Sequence, residues 1–183
     1  MSLIRTSRFV LRPFEKRDAA AFACAVRETA AAGDAWLAWG GETYSEQEAR
    51  EWFRSAAVGH TTGTSLEYGI FTPADNALLG GAGLNRIDPD HRVANLGYWV
   101  RPTCRRQGVA HESARALAEH AFVGLGLQRV EIVVATANHA SIGVARKMGA
   151  RLECVAQNRL RINGQPVSAY VFALIACPRK SPS

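Results

Sequence analysis

The chain has 183 residues, the length of one globular domain, and can bury a stable core without disulfides or a structural metal. Hydrophobic residues make up 48% and charged residues 21%, which excludes disordered, collagen-like and coiled-coil classes. Lys plus Arg number 22 against 16 Asp plus Glu, and this formal charge of +6 points to an anionic partner: nucleic acid, a lipid surface or a phosphorylated cofactor.

The pattern opens with a strand over residues 9–12 and an Ala-rich helix over 18–32. A loop over 33–44 carries Trp36 and Trp39, and two aromatics on one Gly-flanked loop could line a cleft or plug the core. Ser45 with Glu48 three residues later forms a capping box, and Ala49, Trp52, Phe53, Ala56 and Ala57 recur at helical spacing, so a second helix runs to about residue 58. Strands follow over 66–72 and 78–87, separated by the turn chemistry of Thr72-Pro-Ala-Asp-Asn. A fourth strand over 94–100 stops at Arg101-Pro102, because proline removes a ladder donor.

The strongest helix begins near Val109, with Ala110, Ala114, Leu117, Ala118, Ala121, Phe122 and Leu125 on one stripe, and ends at Gly124 and Gly126. Val130, Ile132 and Val134 then alternate as a strand, and residues 141–148 form a short helix closed by Gly149. Two last strands, over 152–162 and 167–177, flank the hairpin signal Asn163-Gly164. The order is mixed α/β (α+β), expected as a single domain over residues 1–177 with a loose tail over 178–183.

Cys24, Cys104, Cys154 and Cys177 form no C-x-x-C pair and the histidines form no H-E-x-x-H cluster, so no metal and no disulfide framework is expected. The first residues lack an apolar signal region, and the longest clean apolar run, 171–177, is far short of the roughly 20 residues that span a bilayer. The expectation is a cytoplasmic protein with reduced thiols and no membrane partner.

The chemistry concentrates at residues 97–110, a strand, a turn with Arg105, Arg106, Gln107 and Gly108, then a helix start at Val109 and Ala110. A helix N-terminus leaves about four N–H groups unpaired and suits a phosphate or pyrophosphate; Gly108 lets backbone approach closely and the arginines add charge. Such a use absorbs part of the positive charge, and with the basic residues otherwise dispersed a nucleic-acid partner is not expected. The run Gly80-Gly-Ala-Gly83 is no dinucleotide loop, because no helix follows it.

Arg105-x-x-Gly108-x-Ala110 matches the acyl-CoA signature [QR]-x-x-G-x-[GA] of the GNAT acetyltransferases. Together with Thr6-x-Arg8-Phe9-Val10-Leu11-Arg12-Pro13, the Trp36-Leu-Ala-Trp39 loop, Leu96-Gly-Tyr-Trp-Val100, Asn138-x-x-Ser141 and Asn163-Gly164, the chain resembles the branch of Rim-type ribosomal-protein alanine and serine N-terminal acetyltransferases. The resemblance implies a mostly antiparallel twisted sheet of about seven strands, splayed between the fourth and fifth, with about four helices. It implies acetyl-CoA as donor, with its pantetheine arm bonded to backbone of Trp99 and Val100, its pyrophosphate on the loop from Arg105 through Arg106, Gln107, Gly108 and Val109 to Ala110, Asn138 on the pantetheine and Ser141 near the sulfur. Asn138 equally suits a helix N-cap and Ser141 a first helical turn.

The chain departs from the family where a base is usual. Asn95 stands where many relatives carry Glu, Leu160 where Rim serine acetyltransferases carry a second Glu, and Ser168 and Phe172 replace the Asp and Tyr of the final strand. Asn95 could hold a water that relays a proton, and Asp88, Asp90 and His91 are substitute candidates. An α-amine, with a pKa of about 7.7–8.0, tolerates a missing base better than lysine at about 10.4. The expected acceptor is therefore a protein N-terminal amine, with Trp36 and Trp39 at its cleft. A small amine such as an antibiotic or polyamine, and a non-catalytic acyl-CoA-binding module, stay open, as does a homodimer.

Overall fold

The computed structural model describes residues 3–33, 36 and 40–177. The expected tail over 178–183 and Trp39 lie outside the described residues. In chain order the elements are β1 (Ile4–Arg5), β2 (Val10–Arg12), α1 (Ala19–Ala31), α2 (Glu46–Thr62), β3 (Leu66–Phe71), β4 (Leu78–Asp88), β5 (Val93–Val100), α3 (Val109–Val123), β6 (Arg129–Ala135), α4 (His139–Lys147), β7 (Arg151–Ile162) and β8 (Gln165–Ile175). One eight-stranded sheet has the order β1-β2-β3-β4-β5-β6-β8-β7. The extra strand over the expected seven is β1, whose two residues are too short to show alternation and pair with Val10 and Leu11.

Local chemistry sets the element ends. Ser45 Oγ accepts from Glu48 N (3.2 Å) while Glu48 accepts from Ser45 N (2.7 Å), the reciprocal box that starts α2. That helix runs past residue 58 to Thr62, where Gly63 closes it in the left-handed region. Asn163 and Gly164 have φ of 49° and 77°, the geometry of a two-residue turn that matches strand twist.

Alternation along the strands makes two cores. Tyr68, Ile70, Ala82, Leu84, Ala94 and Leu96 meet Ala114, Leu117, Ala118 and Ala121 of α3 on one face. Phe71, Leu78 and Trp99 meet Phe22 and Ala23 of α1 and Phe53 of α2 on the other. Leu125, expected on the α3 stripe, lies beyond the end of that helix and is exposed. Because side chains alternate along strands, Glu67, Gly83, Asn85, Asn95 and Gly97 share the α1/α2 face with Trp99, and Tyr98 shares the α3/α4 face. A buried pair anchors α1 to the sheet: Arg12 donates to both Asp18 oxygens (2.7 and 2.8 Å) with its guanidinium 3.7 Å from the Phe71 ring centroid.

Candidate active site

All neighbouring strands are antiparallel except β5 and β6, and this parallel pair joins only at Val93–Arg129, Ala94–Val130 and Asn95–Glu131. Beyond Asn95, β5 continues on β4 to Val100 while β6 continues on β8 to Ala135. The edge of β5 from Leu96 to Val100 is thus left without a strand partner on the β6 side, backbone that can bond a linear ligand. The gap lies between the fifth and sixth strands, the expected junction shifted by the extra β1.

Past β5 the chain makes a 3₁₀ turn, Pro102–Cys104, and a tight loop before α3. Arg106 (φ 61°) and Gly108 (φ 81°) are both left-handed. The first bond inside α3 is Glu112 N to Gly108 O (3.0 Å), so the amides of Val109, Ala110 and His111 have no partner within the helix. Gly108 is needed twice over: by its φ, and because a Cβ there would lie 2.8 Å from Arg8 Nη2. Arg8 braces the loop from outside, donating to Gln107 O (3.0 Å) and to Glu112 Oε2 (2.7 Å). Ser7 Oγ and Arg8 N donate to Glu112 Oε1. Although desolvation would raise it, hydrogen bonds from Thr6, Arg8 and Ser7 hold the Glu112 carboxyl down at about 2.

A cavity of about 740 Å³ runs from this loop into the splay. Its lining includes Trp99, Val100, Arg105, Arg106, Gly108, Val109, Ala110, Asn138 and Ser141 of the expected set, and Trp36 as well. Among the described residues, every fixed charge on its lining is positive, from Arg105, Arg106 and Lys147. Gln107 is the exception in the loop: its Nε2 turns back onto Thr103 O (3.1 Å) and it does not line the cavity. The sequence reading missed Lys147 and the α4 face of Ala140, Gly143 and Val144, which recur at helical spacing but reach the cavity only through the packing of α4.

At the inner end, Ser141 Oγ donates to Tyr98 Oη (2.9 Å), and Tyr98 donates to Ser141 O (3.1 Å). Burial raises the Tyr98 hydroxyl above its ordinary value, against a lowering by Ser141, so the phenol stays protonated at neutral pH. Asn138 Oδ1 accepts from Ser141 N (3.0 Å) and caps α4, which commits that oxygen to the helix start. Tyr98 was missed as a site residue; its signal lay in the quoted Leu96-Gly-Tyr-Trp-Val100 run. A smaller cavity of about 150 Å³ adjoins, lined by Trp36, Tyr98, Ser141, Leu160 and Ile162 among others.

Asn95 does not line either cavity. Its Nδ2 donates to Asn85 Oδ1 (3.1 Å), and its own Oδ1 is buried without a partner. The face rule places it opposite Ser141, on the α1/α2 side. Asp88 and His91 form an exposed turn pair (Nδ1 to Oδ2, 3.0 Å) beside Val93, at the joined end of β5 and β6. They and Asp90 do not line the cavities, because the turn carries them away from the splay.

One carboxylate on the α1/α2 face stands out. Glu67 is pushed up to about 7 by burial, and among the described residues no cation offsets that. Its folded-state value exceeds the ordinary 4.5, so its contribution to stability is fully present below about pH 4.5 and is lost as the pH rises through about 7. Denaturant titrations of wild type and Glu67→Gln at pH 4.5 and 8 should show wild type losing stability relative to the variant at the higher pH; parallel behaviour would mean the carboxylate is not buried.

Residues 8–151 match the family model for the acetyltransferase (GNAT) domain. The chain is 29% identical over 175 residues to the uncharacterized N-acetyltransferase YoaA of Bacillus subtilis (strain 168), covering 94% of this chain and 96% of that protein. It is 30% identical over 122 residues, 66% of this chain and 67% of the other, to the ribosomal-protein-serine acetyltransferase of Escherichia coli (strain K12). Among solved structures, RimL, a ribosomal α-N-protein acetyltransferase in complex with coenzyme A, superposes with a TM-score of 0.85 at 26% identity, covering 96% of this chain and 98% of that one. The splayed sheet, the loop before α3 and these matches agree, and the chain belongs to the GNAT acetyltransferase family.

Proposed function

We propose that the protein transfers an acetyl group from acetyl-CoA to a protein N-terminal α-amine. The observation that carries this reading is the cavity between β5 and α4, whose fixed charges among the described residues are all positive, with helix amides unpaired within the helix at one end and a hydroxyl pair at the splay. Its volume suits one extended small-molecule ligand. When bound, acetyl-CoA supplies the acyl group as an activated thioester. Arg105, Arg106 and the amides of Gly108, Val109 and Ala110 would take its pyrophosphate, and the open edge at Trp99 and Val100 its amide-bearing arm. Ser141, held by Tyr98, would give a proton to the departing sulfur. Trp36 and the apolar walls Leu160 and Ile162 would receive the acceptor's first residue, and an apolar wall disfavours a charged one. The relative named as a ribosomal-protein-serine acetyltransferase supports this class of acceptor. Among the described residues no helix is long and apolar enough to cross a membrane, and no group of three or more His, Cys, Asp or Glu could hold a metal. Residence in the cytoplasm and one domain over 1–177 complete the proposal.

Ser141→Ala should lower kcat about tenfold and leave the KM for acetyl-CoA little changed, because the proton is needed mainly in the transition state. Steady-state kinetics with a free-N-terminus peptide checks this; unchanged kcat would leave Ser141 a first-turn residue of α4.

A further inference from the structure

Glu67, Gly83 and Gly97 are successive register partners across β3, β4 and β5, so they share one face in one row. A Cβ on Gly83 would collide with the Glu67 carboxylate, which therefore lies flat over β4, displaced from its own strand toward Gly97. Over Gly97, apart from its chain neighbours, the described residues leave open space, with Asn85 Nδ2 the nearest of their atoms, 4.0 Å from the place of a Cβ. The oxygen of that Asn85 amide takes the Asn95 N–H, and the buried Asn95 Oδ1 has no partner. Gly97 also lies just past Asn95, where β5 loses its partner β6, so the space borders the splay. A single strand spacing, about 4.8 Å, separates the rows of β4 and β5, a step that one water or one ammonium group fills.

Resting on the N-acetyltransferase reading of the site, we propose that Glu67 is the general base of the reaction, taking a proton from the acceptor ammonium directly or through a water seated over Gly97 beside the Asn85–Asn95 pair. One ammonium proton moves to the carboxylate and frees the nitrogen lone pair. Nitrogen then bonds to the acyl carbon while the carbon–sulfur bond breaks with its electrons on sulfur. The Ser141 hydroxyl protonates sulfur and regains a proton from nitrogen; the third proton stays on the amide, and Glu67 releases its own to solvent. This places the base on the α1/α2 face and the acid on the α3/α4 face of the same gap.

The surroundings suit a base that titrates near neutrality, where burial holds Glu67. From α2, His60 Nε2 accepts from Glu67 N (2.9 Å), the titratable group set against this residue. From β4 and β5 the facing residues Gly83, Asn85, Asn95 and Gly97 are uncharged. On α1, Arg27 is held by Tyr44 O and Glu28 by Arg101; on β2, Arg12 is held by Asp18; on β6, Glu131 is held by Arg129.

The test compares wild type with Glu67→Gln, which keeps the shape and cannot take the proton, and with Gly83→Ala, which displaces the carboxylate. Three readouts are needed: acetyl-CoA affinity by calorimetry, kcat/KM for a free α-amine peptide from pH 5.5 to 9, and infrared titration of the apo proteins for a protonated carboxyl band. Expected are an unchanged affinity, a fall of about a hundredfold in kcat/KM for Glu67→Gln, loss of the rise through pH 7 with only the amine's own ionisation near 8 remaining, and an infrared band that titrates near 7 in wild type and is missing from the variant. Activity of Glu67→Gln within threefold of wild type, with the same rise through pH 7, overturns the assignment alone. A carboxyl that titrates in the ordinary range near 4.3 also overturns it. A wild type that binds acetyl-CoA and acetylates no amine overturns the acetyltransferase reading, and the assignment with it.

Discussion

Replacing Arg105 by Ala, or Gly108 by Asp, is expected to weaken acetyl-CoA binding at least tenfold. The arginine change removes a charge-assisted contact worth about 1.5–3 kcal/mol, which is about ten- to a hundredfold in affinity. The glycine change acts on geometry. At a φ of 81° an Asp is strained, and its Cβ would meet Arg8 Nη2 at 2.8 Å. Its carboxylate then has two courses. It can draw Arg8 off Gln107 O and Glu112, which unbraces the loop, or turn toward the amides of Val109 and Ala110 and occupy the place of a phosphate. Calorimetry with acetyl-CoA distinguishes these from no effect; full affinity in both variants would mean the pyrophosphate does not use this loop.

The largest kinetic contrast should lie between acceptors. A peptide with a free N-terminus and no lysine should be acetylated at least about a hundredfold faster, in kcat/KM near pH 7, than the same peptide N-blocked and carrying one lysine. The α-amine, at about 7.7–8.0, lies within about one unit of a carboxyl held at about 7, whereas lysine at about 10.4 lies more than three units above it. The difference between the two amines is roughly 3 kcal/mol of deprotonation. For the α-amine the rate should rise with pH and level off near 8, and the ratio between the peptides should narrow above that. Equal rates would require a base matched to lysine, unlike a carboxyl held at about 7.

What the sequence made legible was local. The Ser45–Glu48 box, the Asn163-Gly164 turn, the Gly149 helix end and the alternation of Val130, Ile132 and Val134 all depend on residues a few positions apart, and the structure has each. The site was most legible where one segment builds it, as in the strand, turn and helix from Gly97 to Ala110, while Trp36, Asn138 and Ser141 came from the family resemblance and the loop pattern. The Tyr98–Ser141 contact joins two segments far apart in the chain, so spacing could not reveal it. The α4 face ending at Lys147 depends on how that helix packs. Glu67 was hidden most deeply, because its surroundings are a register row across three strands. The run Gly80-Gly-Ala-Gly83 held the clue: its glycines make room in the sheet, Gly81 for the Trp99 indole and Gly83 for the Glu67 carboxylate.

A crystal structure with acetyl-CoA tests the central claim most directly. The expected complex has the pyrophosphate within hydrogen-bond distance of the amides of Gly108, Val109 and Ala110, the pantetheine arm along Trp99 and Val100, and the thioester sulfur beside Ser141 in the gap between β5 and β6. Acetyl-CoA bound elsewhere on the molecule, or bound with its sulfur out of reach of Ser141, would contradict it.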